Sequence, residues 1–174
     1  MEIIDNAISE IDLKTIQDLL LSPAFPWYFN PYTIDENTAR DDMNDFQLCH
    51  SFYVNAPRYG YVGSDHFEVI EPILDKLKTR TLIRIKANLN TIAPRKDMIA
   101  GWHCDYDLQP DEKGIVKTAI FYVNTNNGYT IFKESKKKVK SVENRLVIFP
   151  TELEHCGVSC TDNKQRVVIN FNFI

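Results

Sequence analysis

The chain has 174 residues, a formal net charge of −4, 44% hydrophobic and 25% charged side chains, a globular composition that argues against a disordered chain and excludes a broad electrostatic nucleic-acid binder. No run approaches the roughly 20 apolar residues of a membrane span, and the acidic N-terminus MEIIDNAISEID lacks the basic and apolar regions of a secretory leader. At roughly 100–200 residues per domain, one cytoplasmic domain over 1–174 is expected, with Cys49, Cys104, Cys156 and Cys160 reduced and no CxxC pair for a zinc ribbon or redox dithiol.

Ile8, Ile11, Leu13, Ile16, Leu19 and Leu20 are spaced for an amphipathic helix, which Ser22-Pro23 stops. Residues 25–32 (FPWYFNPY) are too proline-punctuated for a helix and read as an extended segment, either wrapped on the core or forming an aromatic lip. Residues 33–47 read as a loop and Phe46 to Val54 as a strand. Asp65 to Lys78 follows as a helix capped by Ser64 or Asp65, with Phe67, Ile70, Ile73, Leu74 and Leu77 on one face and a kink or restart at Pro72.

After Thr79 the period becomes strand-like. Strands are predicted at 81–90, 99–105, 116–124, 128–133, 137–142, 145–149, 154–159 and 165–173, with a tight turn at Asn126-Asn127-Gly128. Helices first and about eight short strands afterwards predict a mainly β fold with supporting N-terminal helices packed on one sheet.

Of the four histidines, two stand at telling places. His103 and Asp105 lie two apart in a predicted strand, so both project to one face while Cys104 faces away. His155 lies in the predicted strand 154–159. Two imidazoles and one carboxylate match the facial triad of non-haem iron sites, which leaves coordination positions open. A hydrogen-bonded structural pair of His103 and Asp105 fits the same spacing. Arg166 enters the last strand on the face of Val168 and Asn170. An arginine there is either a surface residue at a strand edge or the bidentate partner of an anion, which repays the cost of bringing its charge inward.

With these residues in place, the sequence resembles the 2-oxoglutarate- and Fe(II)-dependent dioxygenases of the prolyl 4-hydroxylase-like type. The resemblance covers about residues 81–174. It rests on His103-Cys104-Asp105, on Ile120 to Asn124 followed by Asn127 to Phe132, on Leu146 to Pro150 leading to His155, and on Arg166. It implies a double-stranded β-helix (a cupin-like jelly roll) in which His103, Asp105 and His155 bind Fe(II). It further implies that Arg166 pairs with the distal carboxylate of 2-oxoglutarate, that the Tyr122 hydroxyl contacts the same carboxylate, and that Thr130 lines the cosubstrate pocket. Strand 81–90 is expected to pass behind the site and to offer Lys86, Asn88 or Asn90 as a cosubstrate neighbour, Asn88 foremost. The implied activity hydroxylates a C–H bond of a prolyl, other peptidyl or small-molecule substrate with O2, releasing succinate and CO2, with ascorbate as an optional accessory.

Two positions depart from the family pattern. Many members carry lysine where Arg166 stands, and Asn127-Gly128 replaces a Gly-Gly pair, with Asn expected to accept the left-handed turn. Residues 1–80 carry no family motif and are expected to support the core and shape the substrate entrance, with Trp27, Tyr53, Arg58, Tyr59 and Tyr61 as substrate-side candidates. Asp107 reads as a loop acid, and His50 and His66 have no metal role. The run Lys133 to Lys138 reads as a solvated hairpin tip or a small patch for an acidic partner. Two other functions share the constellation: a non-catalytic β-helix scaffold, and a zinc-dependent cupin-like enzyme, for which no general base is evident beside the triad.

Overall fold

The computed structural model describes residues 1–33, 46–56, 60–97, 99–106, 109 and 112–174. In chain order its elements are β1 (Glu2–Ile4), α1 (Glu10–Leu20), β2 (Tyr28–Asn30), β3 (Gln47–Ala56), β4 (Gly60–Gly63), a 3-10 turn (Phe67–Ile70), α2 (Glu71–Leu77), β5 (Leu82–Thr91), β6 (Lys117–Tyr122), β7 (Tyr129–Phe132), β8 (Lys138–Lys140), β9 (Arg145–Pro150), β10 (His155–Val158) and β11 (Gln165–Phe173). An eight-stranded sheet runs β1-β9-β6-β11-β5-β3-β2, with β4 on β3, and a three-stranded sheet runs β10-β7-β8. The ladders are antiparallel. The two sheets close on each other as a jelly roll.

Alternation along the large sheet explains its two faces. Ile85, Ala87, Ala119, Phe121, Ile169 and Phe171 form one continuous core with Leu13, Ile16 and Leu20 of α1 and with Ile70, Ile73 and Leu77 around α2. Each fully buried aliphatic side chain there contributes about 1.5–3 kcal/mol. The alternate residues, Arg84, Lys86, Asn88, Asn90, Ile120, Arg166, Val168 and Asn170, face the small sheet and line a cavity. The helices thus carry the outer core and leave the polar face for chemistry.

Local chemistry sets the ends of these elements. Ser9 caps α1, its hydroxyl accepting from the Asp12 amide at 3.2 Å. Ile11 is 79% exposed because the buried stripe is Leu13-Ile16-Leu20, so the predicted helical face narrows by one residue. Pro72 falls in the first turn of α2, where a missing N–H costs nothing, and the predicted helix divides there into a 3-10 turn and an α-helix. Neither Ser64 nor Asp65 is the N-cap of that turn; His66 is, without a side-chain cap, while the Ser64 hydroxyl accepts from the His66 amide.

Several expectations need correction. Residues 99–105 form no regular strand. Ile99 donates to Gly157 and His103 exchanges main-chain bonds with His155, while the residues between leave the ladder. The segment meets β10 only at alternate points because the Gly101 carbonyl turns instead to the His103 ring. The Asn127-Gly128 step is not a hairpin turn. β6 and β7 belong to different sheets, and neither residue has positive φ. Asn127 instead ties the crossover down, its side chain bonding the amide and hydroxyl of Thr161. β1 and β4 were not expected. β1 pairs with β9, and the left-handed Asn144 holds the following turn by bonding both main-chain groups of Ile8. Arg145 adds a fork to Asp5 at 2.6 and 3.0 Å.

Trp27 and Tyr53 lie on the helix side of the sheet. The Trp27 indole donates to the Leu20 carbonyl and Tyr53 packs near Phe67, both against the outer core. Arg58, Tyr59 and Asp107 lie outside the described residues. No helix among the described residues is long and apolar enough to cross a membrane.

Candidate metal centre

His103, Asp105 and His155 offer one ligand atom each, all within 4.8 Å of one another. His103 and His155 are joined by reciprocal main-chain hydrogen bonds of 3.2 and 3.0 Å, which set the spacing of their rings. Each ring then uses Nδ1 on a carbonyl two residues back, Gly101 at 2.9 Å and Leu153 at 3.0 Å. A carbonyl accepts, so Nδ1 carries the proton in both and Nε2 is left as a lone-pair donor. Both Nε2 atoms face Asp105, at 3.8 and 3.4 Å.

Asp105 is held from behind. Arg84 donates from Nη2 to its carbonyl at 2.7 Å and from Nε to Asn172 at 3.2 Å, and Asn170 touches Oδ1 at 3.5 Å. The other oxygen, Oδ2, is buried and has no hydrogen-bond partner among the described residues. A buried carboxylate oxygen without a donor, between two imidazole lone pairs, fits a divalent cation. Burial alone would raise the Asp105 carboxyl, but the neighbouring His155, Arg84 and His103 hold it well below the usual carboxylate range. Burial pushes His103 down, towards its neutral form. Burial penalises the His155 charge too, but adjacent Asp105 outweighs it and raises that imidazole.

The same cavity, of about 120 Å³, ends at Arg166. Arg166 is only 3% exposed. Its Nε donates to the Ser141 hydroxyl at 3.1 Å and Nη2 to Thr130 at 3.3 Å, and no carboxylate among the described residues pairs with it. Leaving a guanidinium buried without a counter-charge costs several kcal/mol, which an anion entering the pocket would offset. Thr130 lines the cavity beside it. Tyr122 stands one step behind, donating to Thr130 at 2.8 Å with its ring 5.8 Å from the guanidinium carbon. Asn88 lines the cavity with Lys86 and Asn90, and its buried Oδ1 lacks a hydrogen-bond partner among the described residues.

Gly128 makes room for the arginine. A Cβ there would lie 2.8 Å from the Val158 carbonyl and 3.0 Å from Arg166 Cδ. Gly128→Ala is therefore expected to destabilise the protein by about 1–3 kcal/mol, read as a lower urea midpoint at unchanged slope.

Ser141 is the Arg166 partner that sequence reasoning misses, although strand alternation places it beside Val139 on the inner face, while Asn170, expected on the Arg166 face, reaches Asp105. Trp102 is half-buried beneath the Lys136 ammonium, 5.4 Å from its ring centre. Lys133 pairs with Glu154. His50 is engaged elsewhere, by the Pro26 carbonyl and the Ser64 hydroxyl.

No family model matches the chain, and no curated protein sequence matches it. Its fold is that of the prolyl hydroxylases and 2OG-Fe(II) oxygenases. The viral collagen prolyl hydroxylase vCPH of Paramecium Bursaria Chlorella virus-1, solved as a 2OG complex, is similar over 99% of this chain and 96% of its own, at 15% identity and a TM-score of 0.62. An oxidoreductase of the 2OG-Fe(II) oxygenase family from Burkholderia pseudomallei covers 98% and 84%, at 14% and 0.68. A Trichoplax adhaerens prolyl hydroxylase, solved with a hypoxia inducible factor peptide fragment, covers 99% and 82%, at 13% and 0.61.

Proposed function

We propose that the chain is a 2-oxoglutarate- and O2-dependent Fe(II) dioxygenase that hydroxylates a C–H bond of a peptidyl or small-molecule substrate. What carries this reading is one cavity with a His103-Asp105-His155 cluster at its centre and a buried, uncompensated Arg166 at its end. The donor set suits iron, and the arginine suits the far carboxylate of a dicarboxylic acid whose other end reaches the metal. Two of the structures that share the fold are named as prolyl hydroxylases, one of them with a peptide, which favours a peptidyl substrate.

Iron with 2-oxoglutarate and O2 supplies the oxidising power that removes hydrogen from carbon, leaving succinate and CO2. The chain's own residues supply placement. His103 and His155 present Nε2 because their Nδ1 protons are committed to carbonyls. Arg84 and Asn170 orient Asp105. Arg166, aligned by Ser141 and Thr130, takes the distal carboxylate in a fork. Tyr122 keeps the Thr130 hydroxyl aimed, and Asn88 offers its amide to the cosubstrate. Residues 81–174 are the working β-core and residues 1–80 its support, in one domain. The four free cysteines fit a reducing, cytoplasmic setting. A zinc hydrolase is disfavoured because Asp105 is the one carboxylate among the described lining residues, leaving no separate general base.

The test is an anaerobic titration with Fe(II) and then 2-oxoglutarate, with ascorbate included in subsequent turnover. A visible charge-transfer band that grows with 2-oxoglutarate, followed by succinate release on admitting O2, is the expected result. Bound iron without a band would reject the reading.

A further inference from the structure

Lys86 is a cation that the proposed reaction leaves unused. It lines the cavity from the centre of β5, and its ammonium has no hydrogen bond or ion pair among the described residues. Its neighbours on the inner face are committed. Arg84 is spent on Asp105 and Asn172, and Arg166 on Ser141 and Thr130.

Charge counting sharpens the point. The described lining side chains bring three basic groups, Arg84, Lys86 and Arg166, and one carboxylate, Asp105; burial pushes the Lys86 ammonium down, a penalty that a bound anion would offset. A divalent metal and a dianionic cosubstrate cancel each other. Two positive charges then remain, in a site where charge is poorly screened.

Position separates Lys86 from the cosubstrate anchor. In the β11–β5 ladder Arg166 stands opposite Asn90, and Asn170 opposite Lys86. Four residues of strand span about 13 Å. A five-carbon diacid spans about 6–7 Å between its ends, at roughly 1.5 Å per bond. Lys86 therefore emerges level with Asn170 and the metal cluster, at the opposite end of the cavity from the carboxylate that Arg166 would hold.

We propose that Lys86 is the anion subsite for the molecule that is oxidised, which carries a carboxylate close to the reacting carbon. This assignment rests on the dioxygenase reading and narrows its substrate class to molecules, peptidyl or small, that bear a carboxylate near the oxidised carbon. Side-chain amides of Asn88, two residues along β5, and of Asn170, opposite on β11, line the same stretch of cavity and supply further polar contacts for a carboxylate. The buried Oδ1 atoms of Asn88 and Asn170, both without partners among the described residues, can accept donors that a bound polar molecule brings.

The test uses the whole protein loaded with redox-quiet Mn(II) and 2-oxoglutarate. Calorimetry measures its binding to a panel of N-acetylated amino acids, each as the free carboxylate and as the carboxamide. At least one carboxylate is expected to bind about tenfold or more tightly than its carboxamide, and Lys86→Met to abolish that preference. Lys86→Arg, which keeps the charge, is expected to retain most of it. Separately, 2-oxoglutarate is titrated into wild type and Lys86→Met, with affinities expected within about threefold, since the diacid is held by Arg166. Equal binding of carboxylates and carboxamides, no binding by any member, or a preference that survives Lys86→Met would overturn the assignment. So would a large loss of 2-oxoglutarate affinity in Lys86→Met, which would hand the lysine to the cosubstrate. Failure of 2-oxoglutarate to bind wild type would reject the dioxygenase reading itself, and is read independently of the panel.

Discussion

Arg166→Met is expected to weaken 2-oxoglutarate binding by about two orders of magnitude or more, in line with losing one side of a buried, charge-assisted pair. The same substitution is expected to stabilise the ligand-free protein, because it removes a guanidinium that is 3% exposed and meets only two hydroxyls. Opposite signs for affinity and stability distinguish an anion anchor from a structural arginine, whose loss would lower both. Arg166→Lys is expected to fall between, since an ammonium keeps the charge and loses the fork. Anaerobic 2-oxoglutarate titration and urea unfolding on the same samples measure the two effects.

Removing a corner of the metal cluster has the other large effect. Asp105→Ala and His155→Ala are each expected to abolish stoichiometric Fe(II) binding and succinate release, because two remaining ligands cannot retain the ion against water. The pH dependence carries a sign. In the metal-free protein the Asp105 carboxyl is depressed and the His155 imidazole raised. Stability from Asp105 is present above its unfolded value and lost as pH falls through the folded one. Stability from His155 is present below its unfolded value and lost as pH rises through the folded one. The pair therefore stabilises the metal-free protein most between about pH 4 and 6.5, and Asp105→Asn is expected to flatten that maximum in urea midpoints. Metal affinity runs the other way below the raised His155 pKa, climbing about tenfold per pH unit as the metal displaces one proton. A flat affinity profile would show that the His155 proton does not compete.

Much of this architecture could be read from period alone. The strand at 165–173 alternates so regularly that Arg166, Val168 and Asn170 declare a shared face, and β5 does the same for Lys86, Asn88 and Asn90. His103 and Asp105 meet His155 although their segment is not a strand, because backbone bonds at Ile99 and His103 dock it on β10 while Arg84 and Asn170 hold Asp105. What period could not reveal was pairing. Glu2-Ile3-Ile4 is too short to announce a strand and exists because β9 offers it an edge. Trp27 and Tyr53 were assigned to the substrate side because local sequence names aromatic residues without saying which side of a sheet they reach. Ser141 was invisible as a partner of Arg166, since their juxtaposition depends on one sheet closing over the other.

The reciprocal bridge between His103 and His155 separates two jobs that many sites entangle. The spacing of the imidazoles is carried by peptide groups, and their orientation by the carbonyls of Gly101 and Leu153. Little of it depends on which side chains stand at 102, 104 or 154. Those positions are open to evolutionary drift, and a lineage can rewrite the rim around its metal cradle, changing what is admitted while inheriting the cradle intact.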